Sequence, residues 1–173
     1  MLVNTRKDNM AVFSIIFPVE KILSLIQGKY RKVLVVGCGG CNNESLAYVN
    51  NWEICDHIDA SIGRATAREL DGITSVLTEN CFEVKSTAVP LGGVNAVCIR
   101  YNPHPNFKPD VILALCCAAG TFGMRDDLRA AGDKIPIFQI TSNGGQLAYY
   151  YFVKDNKRWI DYSRSRVIKY NLS

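Results

Sequence analysis

Short unbroken apolar runs alternate along the chain with stretches of helical periodicity. Val33-Leu34-Val35-Val36 is continuous, apolar and mostly β-branched, as a strand covered on both faces requires. Val111-Ile112-Leu113-Ala114-Leu115-Cys116-Cys117, opened by Asp110, is a second such run. Ile135 to Thr141 and Ile73 to Leu77 read as two more strands. Between the runs the apolar positions recur three and four apart. Pro18 opens a helix with Val19, Ile22, Leu23 and Ile26 on one face and Gly28 as its stop. Leu46, Ala47 and Val49 mark a helix after the first run. Ile62, Ala65, Thr66 and Leu70 mark one from Asp59 to Leu70, stopped by Gly72. Another spans residues 121–131, and the aromatic stretch Gln146 to Val153 reads as a last one. Between them Ser142-Asn143-Gly144-Gly145 reads as a glycine turn. Residues 82–109 hold an expected strand, Ala96 to Tyr101, and a Pro/Asn-rich loop from Asn102 to Pro109.

Strands alternating with helices predict an α/β fold, with a mostly parallel sheet and helices on both faces. A length of 173 residues suits one domain with a real core. The expected division is an N-terminal arm over 1–17 and a single α/β metal-binding domain over 18–173. Within the arm, residues 11–17 read as an edge strand or an extended segment packed on the domain.

Cysteine placement adds chemistry to this frame. The run ending at Val36 passes into Gly37-Cys38-Gly39-Gly40-Cys41, and the polar segment Asn42-Asn43-Glu44-Ser45 then starts a helix. Two thiols thus sit where a strand hands over to a helix, the ligand-binding end of an open α/β sheet. A helix N-terminus favours a thiolate there. Cys81 follows the expected strand 73–77, and Cys116 and Cys117 end the strand opened by Asp110. Strand alternation lets only one of that pair face the site. In a parallel sheet Cys38, Cys41, Cys81 and Cys117 can converge as four sulfur ligands for zinc, with an iron–sulfur cluster as the alternative. Cys55 and Cys98 read as ordinary thiols. The Cys-x-x-Cys spacing of Cys38 and Cys41 equally permits a thiol oxidoreductase.

Charge and composition narrow the partners. The formal charge is +4, and Lys154, Lys157, Arg158, Arg164, Arg166 and Lys169 crowd the end as a solvated tail or final helix. Basic residues are not interleaved with aromatics as in RNA-binding modules, so no nucleic-acid partner is expected. No stretch is long enough to span a bilayer, and no membrane partner is expected. Seven cysteines, an odd number, point to reduced thiols in the cytoplasm. Gly37-x-Gly39-Gly40 lacks the third glycine of a dinucleotide fingerprint, with Asn42 in its place. His57 and His104 are the only histidines, and Glu44 is a candidate base or supporting group beside the thiols.

These blocks together resemble the cysteine-rich C-terminal domain of methylenetetrahydrofolate reductase, the MetV-type partner of that enzyme. The resemblance is carried by Ile22-Leu23 to Gly28, Lys32 to Cys41, Glu79-Asn80-Cys81, Asp110 to Gly120, and Ile135-Pro136-Ile137-Phe138 through Asn143. It covers roughly residues 18–150 through short motifs. It implies a Rossmann-like fold with zinc on Cys38, Cys41, Cys81 and Cys117. It further implies a non-catalytic accessory subunit of an oxidoreductase in one-carbon and redox metabolism. The implied partner is a flavin-dependent methylenetetrahydrofolate reductase subunit. The competing readings are a thiol oxidoreductase using Cys38 and Cys41, and a small-molecule-binding Rossmann-like module. With three ligands instead of four, an open metal position would restore an enzymatic role.

Overall fold

The computed structural model describes residues 9–61, 63–89, 99, 101 and 104–170. In chain order the elements are β1 (Asn9–Ile16), α1 (Val19–Ile26), β2 (Lys32–Cys38), α2 (Cys41–Asn50), β3 (Cys55–Asp56), α3 (Arg64–Glu79) and β4 (Glu83–Val89). Then follow β5 (Val111–Leu115), α4 (Ala118–Ala130), β6 (Ile137–Gln139), β7 (Thr141–Tyr149), β8 (Tyr151–Lys154), β9 (Lys157–Ile160) and β10 (Arg166–Ile168).

The unbroken apolar runs do build a parallel sheet, in the order β4-β2-β5-β6. Val33 and Val35 of β2, with Val111, Leu113 and Leu115 of β5, face Ile22 and Ile26 of α1 and Leu70, Ile73 and Leu77 of α3. On the opposite face Leu34, Val36, Ile112 and Ala114 pack with Met124 and Leu128 of α4. Burial on both faces is why these strands show no polar alternation.

The expectation of one mostly parallel, Rossmann-like sheet is nevertheless overturned. Among the described residues four of the strands form the parallel sheet, and the others form two antiparallel three-stranded sheets, β1-β7-β10 and β3-β9-β8. The cause lies in the last third of the chain. Gln146 to Val153 is not a helix: it supplies the end of β7 and most of β8. Antiparallel partners on both sides of β7 outweigh its turn-like and aromatic composition. The expected turn at Ser142 to Gly145 lies inside β7 as a bulge, where the register slips between Phe13 and Ser14. Gly145 has φ +122°, and a Cβ there would collide with the Ile168 carbonyl oxygen of β10. The basic end is neither tail nor helix. Lys154, Lys157 and Arg158 belong to the β8–β9 hairpin, turned by Asp155 and Asn156 at φ 52° and 57°, the positive values that a tight I′ turn needs, and Arg166 opens β10.

Ile73 to Leu77 is also not a strand. It is the second half of α3, whose buried residues Ala65, Thr66, Leu70, Ile73 and Leu77 keep helical spacing throughout. Gly72 does not stop the helix; it lies in open space on the exposed side. The strand that follows is β4, within the stretch that was hardest to read. The expected strand from Ala96 lies mostly outside the described residues, although Ile99 is buried against α4. The second half of the N-terminal arm is β1, an edge strand paired with β7 along its length. No helix among the described residues is long and apolar enough to cross a membrane.

Candidate functional site

β2 and β5 lie side by side, but the chain leaves β2 toward β4 and leaves β5 toward β6. Their exits diverge and open a crevice at the carboxyl end, where open α/β sheets bind ligands. Cys38 ends β2, Gly39 and Gly40 turn the chain, and Cys41 begins α2. Cys117 follows β5 as the N-cap residue of α4.

Surrounding elements pin the turn. Thr66 Oγ1 donates to the Cys38 carbonyl at 2.7 Å, and the Gly40 amide donates to Cys38 Sγ at 3.3 Å. Asn43 Oδ1 accepts from the Thr66 amide at 2.9 Å while its Nδ2 donates to the Ile54 carbonyl at 2.7 Å. On the other flank Ser45 Oγ accepts from the Ser14 amide at 3.0 Å and donates to the Cys41 carbonyl at 2.9 Å.

Burial pushes the Cys38 thiol up to about 12, opposed by the Gly40 amide and reinforced by the neighbouring sulfurs of Cys41 and Cys117. Burial also raises Cys41, opposed by the Val12 amide of β1. Desolvation therefore outweighs the helix N-terminus expected to favour a thiolate, and both free thiols are neutral near pH 7.

The four cysteines do not converge as a set. Cys81 lies beyond the end of α3, exposed and in the left-handed region at φ 66°. It precedes β4, whose first residue Glu83 pairs with Lys32 and whose last, Val89, pairs with Cys38. At the rise of a strand, Cys81 is about 20 Å from the crevice, at the opposite end of the sheet. It was expected past a strand end because residues 73–77 read as a strand. Cys116 is fully buried beside Met124 and Ile99, with Sγ 3.4 Å from Thr121 Oγ1, whereas Cys117 is half-buried. Cys98 lies outside the described residues. Among the described residues, no three His, Cys, Asp or Glu side chains stand close enough together to hold a metal ion. His104 is in a surface loop with Nδ1 2.8 Å from the Pro105 carbonyl, and exposed His57 is tied by its backbone to the β8–β9 turn.

Beside the cysteine turn lies a cavity of about 400 Å³. Its lining includes Gly39 of the turn, Asn43 and Glu44 of α2, Cys55 of β3, Tyr149 of β7, Tyr151 of β8 and Arg158 of β9. The Glu44 carboxyl is enclosed: Tyr149 donates to Oε1 at 3.4 Å, and Oε2 is buried with no hydrogen-bond partner. Desolvation raises its pKa to about 7. The sequence marked Glu44 but missed Tyr149, Cys55 and Arg158. Tyr149 lies in the stretch that reads as a helix and Arg158 in the one that reads as a solvated tail or final helix, and only the antiparallel pairing brings them to the cavity beside Glu44.

Comparison with protein-family models, with curated proteins and with solved structures gives no match. Fold and site define a mixed protein of one parallel and two antiparallel sheets, with thiols at the carboxyl end of the parallel sheet and a polar cavity lined in part by the antiparallel strands.

Proposed function

We propose that the protein binds one soft divalent metal ion, zinc by its donor chemistry, through Cys38, Cys41 and Cys117. The observation that carries this reading is the placement of the three thiols at two adjacent, diverging strand ends, with Cys41 and Cys117 at helix N-termini. The Gly40 amide aimed at Cys38 Sγ suits a sulfur that carries negative charge, as a metal-bound one does. The closed four-cysteine site does not fit, because Cys81 is at the far end of the sheet. Cys38, Cys41 and Cys117 do not stand close enough together in this structure to hold an ion, so Cys117 would have to move toward the turn to complete the set. In such a site zinc supplies Lewis acidity, and the chain's own contribution is to hold the sulfurs and shield them from water.

A cytoplasmic accessory role beside a flavin-dependent methylenetetrahydrofolate reductase is the functional setting we propose, supported by the MetV-type motifs around Cys38, Cys41 and Cys117. The thiol oxidoreductase reading is less favoured, since burial holds Cys38 and Cys41 as neutral thiols. Elemental analysis of protein purified without oxygen tests the proposal. Zinc near one per chain is expected in the wild type and in Cys81→Ser, with most of it lost in Cys38→Ser and Cys117→Ser. Metal-free wild-type protein would overturn the reading, and brown protein containing iron and sulfide would replace zinc with a cluster.

A further inference from the structure

The cavity beside the turn presents two opposite and incompletely satisfied charges. The Glu44 carboxyl has Oε2 buried and unpartnered. Arg158 has a buried Nε without a partner, and its guanidinium lies 4.9 Å from the centre of the Tyr151 ring. Arg158 makes no ion pair with a carboxylate among the described residues; its Nη2 donates to the His57 carbonyl at 3.4 Å, and the side chain also hydrogen-bonds the neutral Cys55 thiol. Buried polar groups without partners are uncommon in folded proteins, because each unmade hydrogen bond costs the full desolvation of that group. Ile54, Tyr149 and Tyr151 add apolar and aromatic surface to the same lining. The volume lies in the range of small-molecule sites.

We infer that this cavity binds a small zwitterion of α-amino-acid type, with its ammonium on Glu44 and its carboxylate on Arg158. Such a ligand offers a donor to the Glu44 carboxyl and an acceptor to the Arg158 guanidinium at once, with the matching charge at each end. The inference goes beyond metal binding and does not depend on it, since none of the proposed sulfur ligands lines the cavity.

Isothermal titration calorimetry of the full chain with each of the twenty proteinogenic amino acids tests this. At least one is expected to saturate a single site. Its des-amino and decarboxylated analogues should each bind at least tenfold more weakly. Glu44→Gln, if folded by circular dichroism, should weaken binding at least tenfold. Arg158→Met, if folded by circular dichroism, should weaken binding at least tenfold. Absence of binding by all twenty, or analogues that bind as well as the parent, would overturn the inference whether or not the variants fold.

Discussion

Asn43 on α2 caps α3: its Oδ1 accepts from the Thr66 amide at 2.9 Å, a backbone group that the helix itself leaves unpaired. The same side chain donates to the Ile54 carbonyl, so one buried amide ties the cysteine turn to α3 and to the approach of β3. Asn43→Ala should destabilise the protein by about 2–4 kcal/mol, because two buried backbone groups lose their partners. Urea denaturation measures this, and a loss below about 0.5 kcal/mol, the size of a neutral surface change, would mean the cap is dispensable.

Gly37 sets how closely β2 approaches α3. A Cβ there would stand 2.6 Å from Thr66 Cγ2 and 2.9 Å from Leu70 Cδ1. Gly37→Ala should cost about 1–3 kcal/mol through overpacking. Adding Thr66→Ser removes the nearer methyl and keeps the hydroxyl that holds the Cys38 carbonyl. The double variant should recover part of the loss, and strict additivity in denaturant titrations would argue against the clash.

Glu44 ties stability to pH. Its native pKa, raised by desolvation to about 7, lies above its ordinary value of 4.5. The folded protein therefore keeps this proton over a range where the unfolded chain has lost it. The contribution is complete below about pH 4.5 and falls as pH rises toward and past 7. Relative to Glu44→Gln, the wild type should lose up to about 3 kcal/mol between pH 4.5 and pH 8. Parallel pH profiles that never diverge would show that the carboxyl is solvated.

Cys81 occupies a left-handed backbone position at φ 66° and is exposed. Cys81→Gly should stabilise by about 1 kcal/mol by relieving the Cβ conflict. It should leave metal content unchanged, given the distance from the crevice. Loss of zinc in this variant would mean that the cysteine reaches the site after all, against the parallel register of β2 and β4.

Local pattern alone determined the parallel sheet's central strands and the first two helices. A strand buried on both faces has to be apolar at every position, as β2 and β5 are. The cysteine turn was legible for the same reason: glycines and thiols after such a run have few other places to be. Residues 73–77 were misread because Ile73, Thr74 and Val76 are β-branched, and a short apolar run does not distinguish strand from buried helix. That single misreading carried Cys81 to the wrong end of the sheet. Gln146 to Tyr149 take strand form because they pair with residues 9–12 and 166–168, while Tyr151 to Val153 pair across the tight turn at Asp155 and Asn156, and neither partner shows in the local periodicity. Only the tertiary structure could decide the cavity. Glu44, Tyr149 and Arg158 are separated by up to 114 residues, and no local spacing signals that two antiparallel sheets close around one carboxyl.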